Sequence, residues 1–117
     1  FIQLVAPTTS NIRLKKIIKD SHDMVYYISM LSTTGGKLKV APKTILKNYQ
    51  KIKRINKTKN VVIGFGITEK TISSLKQADG LVVGSALCKS ISDAVNKRKN
   101  PAIAAQKTVK KLKAKIL

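Results

Sequence analysis

The sequence predicts an α/β fold built on parallel strands, and three observations carry that reading. Four short runs rich in β-branched residues alternate with segments of helical periodicity. The strand runs are apolar on both faces, as strands covered by crossover helices are. Glycine-rich turns follow three of the four runs. Right-handed crossovers then fix the local topology. This pattern is compatible with an open doubly wound sheet and with part of a closed (β/α) barrel. No long linker interrupts it, so residues 1–117 read as one domain, long enough for a core.

The first strand is expected over Phe1–Ala6. Pro7 and the Thr8, Thr9, Ser10 cluster end it and can cap a helix, whose apolar stripe is Ile12, Leu14, Ile17 and Ile18. The second strand is Val25–Ser29, bounded by polar residues before and after. Leu31–Lys39 reads as a loop around Gly35–Gly36. A helix follows with Pro42 in its first turn and Ile45, Leu46, Tyr49, Ile52 and Ile55 on one broad face. The third strand is Val61–Phe65. Thr68 is the expected N-cap of the next helix, with Glu69 in its first turn and Ile72, Leu75 and Ala78 turned inward. The fourth strand is Leu81–Val83, followed by a short helix over Cys88–Asn96. Asn100–Pro101 caps a final basic helix with Ala105, Val109, Leu112 and Ile116 on one face.

Composition excludes several classes. No apolar run approaches a membrane span, and residues 1–117 carry no secretory signal pattern, although a targeting peptide ahead of Phe1 would lie outside this sequence. The chain opens at Phe1 inside a strand, which reads as a segment of a longer protein. The single cysteine, Cys88, has no internal disulfide partner and is expected to be a small buried hydrophobe. The single histidine, His22, lies beside Asp20 and Asp23, too few convergent ligands for a metal site. Lysine and arginine number 24 against 5 acids, a formal charge of +19. Such an excess attracts polyanions without specificity. Only three of the basic residues are arginines, and five aromatics leave little stacking surface. A lysine-coated metabolic protein is therefore expected, not a specific nucleic-acid binder.

The chemistry concentrates at the strand ends. Thr33–Gly36 follows strand two, Gly64–Ile67 follows strand three, and Gly84–Ala86 follows strand four. Glycine lets a ligand approach the backbone, and exposed N–H groups beside a helix N-terminus bind phosphate oxygens. Barrels often hold phosphate between the loops after their last two strands and a short helix. The nucleotide signatures GxxxxGK[ST] and GxGxxG are absent. Asp20, Asp23 and Asp79 precede strands, on the face opposite these turns. Asp93 lies in a helix, and no carboxylate pair is poised for acid–base work.

These stretches resemble the tryptophan synthase alpha chain family, specifically the C-terminal half of its chain. The resemblance rests on FIQLVAPTT at Phe1–Thr9, VYYIS at Val25–Ser29, TTGG at Thr33–Gly36, GFGI at Gly64–Ile67 and ADGLVVGSAL at Ala78–Leu87. It implies strands five to eight of a (β/α)8 TIM barrel, four parallel strands with covering helices. It further implies a cytoplasmic lyase of tryptophan biosynthesis that cleaves indole-3-glycerol phosphate to indole and glyceraldehyde 3-phosphate without a cofactor. The pyridoxal phosphate belongs to a beta subunit, the partner in an alpha2-beta2 complex. By the same resemblance Tyr26, Thr34 and Phe65 contact substrate, and Gly35, Gly66, Gly84 and Ser85 bind its phosphate. The family's catalytic glutamate and aspartate match no residue here and are expected in the N-terminal half-barrel, so this segment alone is expected to be inactive. The family's loop arginine and glycine are replaced by Met30 and Ser32. Another phosphate-binding barrel enzyme and a basic nucleic-acid-binding module are the alternatives.

Overall fold

In the computed structural model, which describes residues 1–29 and 40–117, strands and helices alternate along the chain. The order is β1 (Gln3–Val5), α1 (Asn11–Asp20), β2 (Met24–Ile28), α2 (Pro42–Ile55), β3 (Asn60–Gly64), a 3-10 turn (Ile72–Leu75), β4 (Gly80–Leu81), α3 (Ser85–Asn96) and α4 (Pro101–Ala114). The sheet order is β1-β2-β3-β4, and every neighbouring pair is parallel.

That order separates the two architectures. A doubly wound sheet reverses its strand order and carries helices on both faces. Consecutive parallel strands joined by right-handed crossovers place the helices on one face. Burial agrees. Val25, Tyr27, Val61 and Ile63 point to the helical layer and are at most 1% exposed. The opposite row pairs Leu4, Tyr26, Val62 and Gly80 across the sheet. Leu4 there is 57% exposed, and Tyr26, Val62 and Gly80 are half-buried. The fold is half of a (β/α)8 barrel, with a packed outer layer and an open inner face.

The core lies between sheet and helices. Leu14 and Ile18 of α1, Ile45, Tyr49 and Ile52 of α2, and Ile72 and Leu75 of the 3-10 turn pack on Val5, Val25, Tyr27, Val61 and Ile63. Leu14 and Ile18 are four residues apart, on one helix face. Ile12 belongs to the predicted stripe but sits two residues from Leu14, on the far side, and is exposed. Ser10 caps α1 by accepting from the Arg13 N–H at 3.4 Å, and Pro42 stands in the first turn of α2, both as predicted. Tyr27 is a core tyrosine; its hydroxyl accepts from Asn48 Nδ2 at 3.0 Å, and burial raises its pKa.

Other expectations are corrected. The helix expected to start at Thr68 is a single 3-10 turn that begins after Thr71. Thr68 still caps the entry: its Oγ1 accepts from the Lys70 N–H at 3.3 Å while Thr71 Oγ1 accepts from the Thr68 N–H at 2.9 Å, a reciprocal capping pair. Glu69 lies in this turn and pairs with Lys111 and Lys115 at 3.5 and 3.3 Å. Helix α3 begins at Ser85, not Cys88, because the Gly84 carbonyl accepts from the Leu87 and Cys88 N–H groups. Cys88 is exposed, not buried, since α3 buries only Ala94 completely. In α4, Leu112 reaches the core while Val109 remains substantially exposed, and Ile116, expected on the same helix face, lies beyond the helix end at Ala114 and is exposed too. Strand β1 omits the exposed Phe1, and β4 is confined to Gly80–Leu81, where the pairing with β3 occurs.

The end of the sheet opposite the turns is tied by Asp79. Its Oδ2 accepts from the Val61 N–H at 2.8 Å and from Lys53 Nζ at 2.9 Å. Burial opposes its charge, but these bonds and one from Tyr49 outweigh burial and hold the carboxyl below its ordinary pKa.

Candidate functional site

The C-terminal ends of β2, β3 and β4 meet in one place. Ile28 pairs with Gly64, and the Val82 N–H reaches the Ile63 carbonyl at 2.8 Å. The turn Gly64–Phe65–Gly66 therefore lies between the end of β2 and the Val82–Ser85 segment that enters α3. Of the predicted site residues, Phe65, Gly66, Gly84 and Ser85 fall on these ends, while Tyr26 lies in the middle of β2 and reaches Gly64 with its ring. Thr34 and Gly35, with the departures at Met30 and Ser32, lie outside the described residues.

Each position has a local reason. Tyr26 points to the open inner face, and its ring meets Phe65 edge-on, with centroids 6.5 Å apart at 88°. Gly64 is the only residue type that fits beneath it, because a Cβ there would overlap the Tyr26 hydroxyl and ring. Phe65 and Gly66 are consecutive residues in the left-handed region, at φ 70 and 69. Glycine enters that region freely, whereas phenylalanine does so at a cost of about 1–2 kcal/mol. Phe65 is nevertheless 55% exposed, so an aromatic face is held out over the inner surface.

Gly84 is the N-cap of α3. Its φ of −114 makes no demand for glycine. Its contribution is space: a Cβ there would meet no atom within 4 Å, and no side chain caps the helix. The first N–H groups of α3, Ser85's among them, consequently have no intrahelical partner. No acidic residue occupies the first turn to offset the helix dipole. Bare backbone, a serine hydroxyl and a positive helix end suit a phosphate oxygen.

Two supporting residues escaped sequence reasoning. Thr71 Oγ1 donates to the Gly66 carbonyl at 3.1 Å and steadies the turn from its far side. Ser29 is fully buried; its Oγ lies 2.7 Å from both the Gly64 and the Phe65 carbonyl oxygens. The available signal was parity: Ser29 shares the buried phase of Val25 and Tyr27, a place where a serine needs a partner.

Carboxylates are sparse here. Asp20, Asp23 and Asp79 lie at the opposite end of the strands, and Asp93 pairs with Lys89 at 2.7 Å. Glu69, near the turn, is engaged by two lysines. His22 is exposed and pairs with Asp23 at 3.1 Å. Among the described residues no three His, Cys, Asp or Glu side chains cluster as metal ligands. No described helix is long and apolar enough to cross a membrane.

A parallel half-barrel with glycine turns at its strand ends defines the class of (β/α) barrels. Within it, the model of the tryptophan synthase alpha chain family matches residues 1–117, and the chain belongs to that family. It is 72% identical over 116 residues to the tryptophan synthase alpha chain of Pelagibacter ubique, covering 99% of this chain and 44% of that one. The solved tryptophan synthase alpha subunit of Legionella pneumophila superposes with a TM-score of 0.80 at 28% identity, over 98% of this chain and 41% of that one. A structure of the tryptophan synthase a2b2 complex of Pyrococcus furiosus matches with a TM-score of 0.70 at 35% identity, over 97% of this chain and 45% of the other. The chain thus spans less than half the length of these relatives and corresponds to the C-terminal half of the alpha chain.

Proposed function

We propose that this chain supplies the phosphate-holding half of a lyase active site, and that the whole protein cleaves indole-3-glycerol phosphate to indole and glyceraldehyde 3-phosphate in the cytoplasm. The observation that carries the reading is the convergence of Gly66, Gly84 and Ser85 at one end of adjacent parallel strands, in a member of this family. Tyr26 and Phe65 provide the aromatic wall beside which an indole ring fits. The family resemblance adds Thr34 and Gly35 to this grip, though they lie outside the described residues.

The division of labour follows from where charge sits. Retro-aldol cleavage needs a proton donor and a base beside the breaking carbon–carbon bond. The nearby carboxylate of this chain, Glu69, is occupied by Lys111 and Lys115. The acid and the base accordingly come from the N-terminal half-barrel, and this segment alone binds without turnover. The reaction uses no cofactor of its own. The Pyrococcus furiosus relative assembles as an a2b2 complex. By analogy, a beta subunit carrying pyridoxal phosphate is the partner that consumes the indole.

The test is complementation. Mixed with a separately produced N-terminal half-barrel of the family, this chain is expected to release indole from indole-3-glycerol phosphate. Gly66→Asp in this chain is expected to abolish that release by placing a carboxylate against the phosphate. A folded, complete pair of halves that releases no indole rules out the lyase reading. Steeply salt-dependent DNA binding that ignores Gly66→Asp would favour a basic nucleic-acid-binding module.

A further inference from the structure

We infer that Ser29 is a positioning residue for the anion site: its buried hydroxyl grips the β3 turn and aims two successive backbone N–H groups, those of Phe65 and Gly66, at the bound phosphate. The inference rests on the phosphate reading above and adds a residue to it.

Ser29 is 0% exposed and follows directly on β2. Its backbone N–H donates to the Gly64 carbonyl at 3.1 Å. Its Oγ, with one proton to share, lies 2.7 Å from that carbonyl and 2.7 Å from the Phe65 carbonyl. Both acceptors therefore point inward, toward the buried hydroxyl. No cis peptide bond occurs in the described backbone. In a trans peptide the carbonyl and the following N–H point in opposite directions. Holding the Gly64 and Phe65 carbonyls inward turns the Phe65 and Gly66 N–H groups outward, toward the mouth where β3 and β4 end.

Backbone strain makes the grip necessary. Phe65 stands at φ 70, which an L side chain with a full Cβ avoids. Such a conformation persists when surrounding bonds over-determine it. Ser29 supplies bonds on both peptides that flank the strained residue, and Thr71 holds the next carbonyl, that of Gly66, at 3.1 Å. Serine fits because a hydroxyl on a short stem reaches two carbonyls from within a packed layer. Alanine would leave the Phe65 carbonyl without this donor.

The experiment uses the 117-residue chain, with sn-glycerol 3-phosphate as the probe. Two quantities are read by NMR: the backbone conformation of Phe65 without ligand, and the affinity for the probe. In Ser29→Ala, Phe65 is expected to leave the left-handed region and affinity to fall about tenfold, the scale of one charge-assisted hydrogen bond. Ser29→Thr restores the hydroxyl and is expected to recover both. If alanine prevents folding, Ser29→Cys, nearly equal in size and a poor donor, takes its place with the same expectation. A folded Ala or Cys variant with Phe65 still left-handed and wild-type affinity overturns the inference. If the wild-type chain ignores the probe, the phosphate reading fails instead, and the Phe65 conformation still decides whether Ser29 controls the turn.

Discussion

At the scale of single residues, the site is built by leaving atoms out. Gly64 leaves room for the Tyr26 ring, Gly66 takes a left-handed turn, and Gly84 leaves the start of α3 uncovered. These roles predict different outcomes for the same substitution. Gly64→Ala drives a methyl into the Tyr26 ring and should cost about 1–3 kcal/mol of stability, as overpacking does. Gly66→Ala should cost about 1–2 kcal/mol through φ alone. Gly84→Ala should be close to neutral for stability, since its Cβ would meet open space, but should weaken phosphate binding. Urea denaturation beside a phosphate titration separates the three. Equal losses at all three positions would contradict the distinction. The sequence marked these turns as glycine-rich, but not which glycine serves space and which serves φ. That depends on Tyr26, a neighbour 38 residues away in sequence from Gly64 and brought close only by strand pairing.

At the scale of elements, strand–helix alternation was legible because each helix places apolar residues at three- and four-residue spacing against a strand of opposite period. The length of the helix between β3 and β4 was not, because Ile72 and Leu75, three residues apart, suit a 3-10 turn as well as an α-helix. Nor was the Asp79 clamp, which joins β3, β4 and α2 from residues distant in sequence. Asp79→Ala should destabilise the sheet by about 2 kcal/mol, as the buried Val61 N–H loses its partner. The pH dependence follows in sign. Asp79 has a folded pKa below its unfolded one, so its contribution is fully present above the unfolded value of about 4 and is lost as pH falls through the lower folded value. Acid unfolding followed by circular dichroism should show this loss in the parent chain and a flatter profile in Asp79→Asn. An unchanged profile would mean that another group controls acid stability.

At the scale of the whole molecule, the open inner face and the charge are the two dominant facts. Leu4 and Val82, near opposite edges of the sheet, both remain exposed, and in a closed barrel such edges meet the other half. A net charge of +19 adds self-repulsion. Raising ionic strength from very low to about 0.15 M should therefore stabilise the chain, by about 5 °C in Tm if the relief is about 1 kcal/mol. A Tm that falls with salt would show that ion pairs outweigh repulsion. The same charge poses the sharpest rival to the site, because lysines spread over α2 and α4 attract any anion. The decisive measurement is a residue-resolved amide NMR titration of this chain with sn-glycerol 3-phosphate. Saturable shifts centred on Gly66, Gly84 and Ser85, surviving added salt, are predicted. Weak shifts scattered over the lysines of α2 and α4 and erased by salt would contradict a phosphate site at the strand ends.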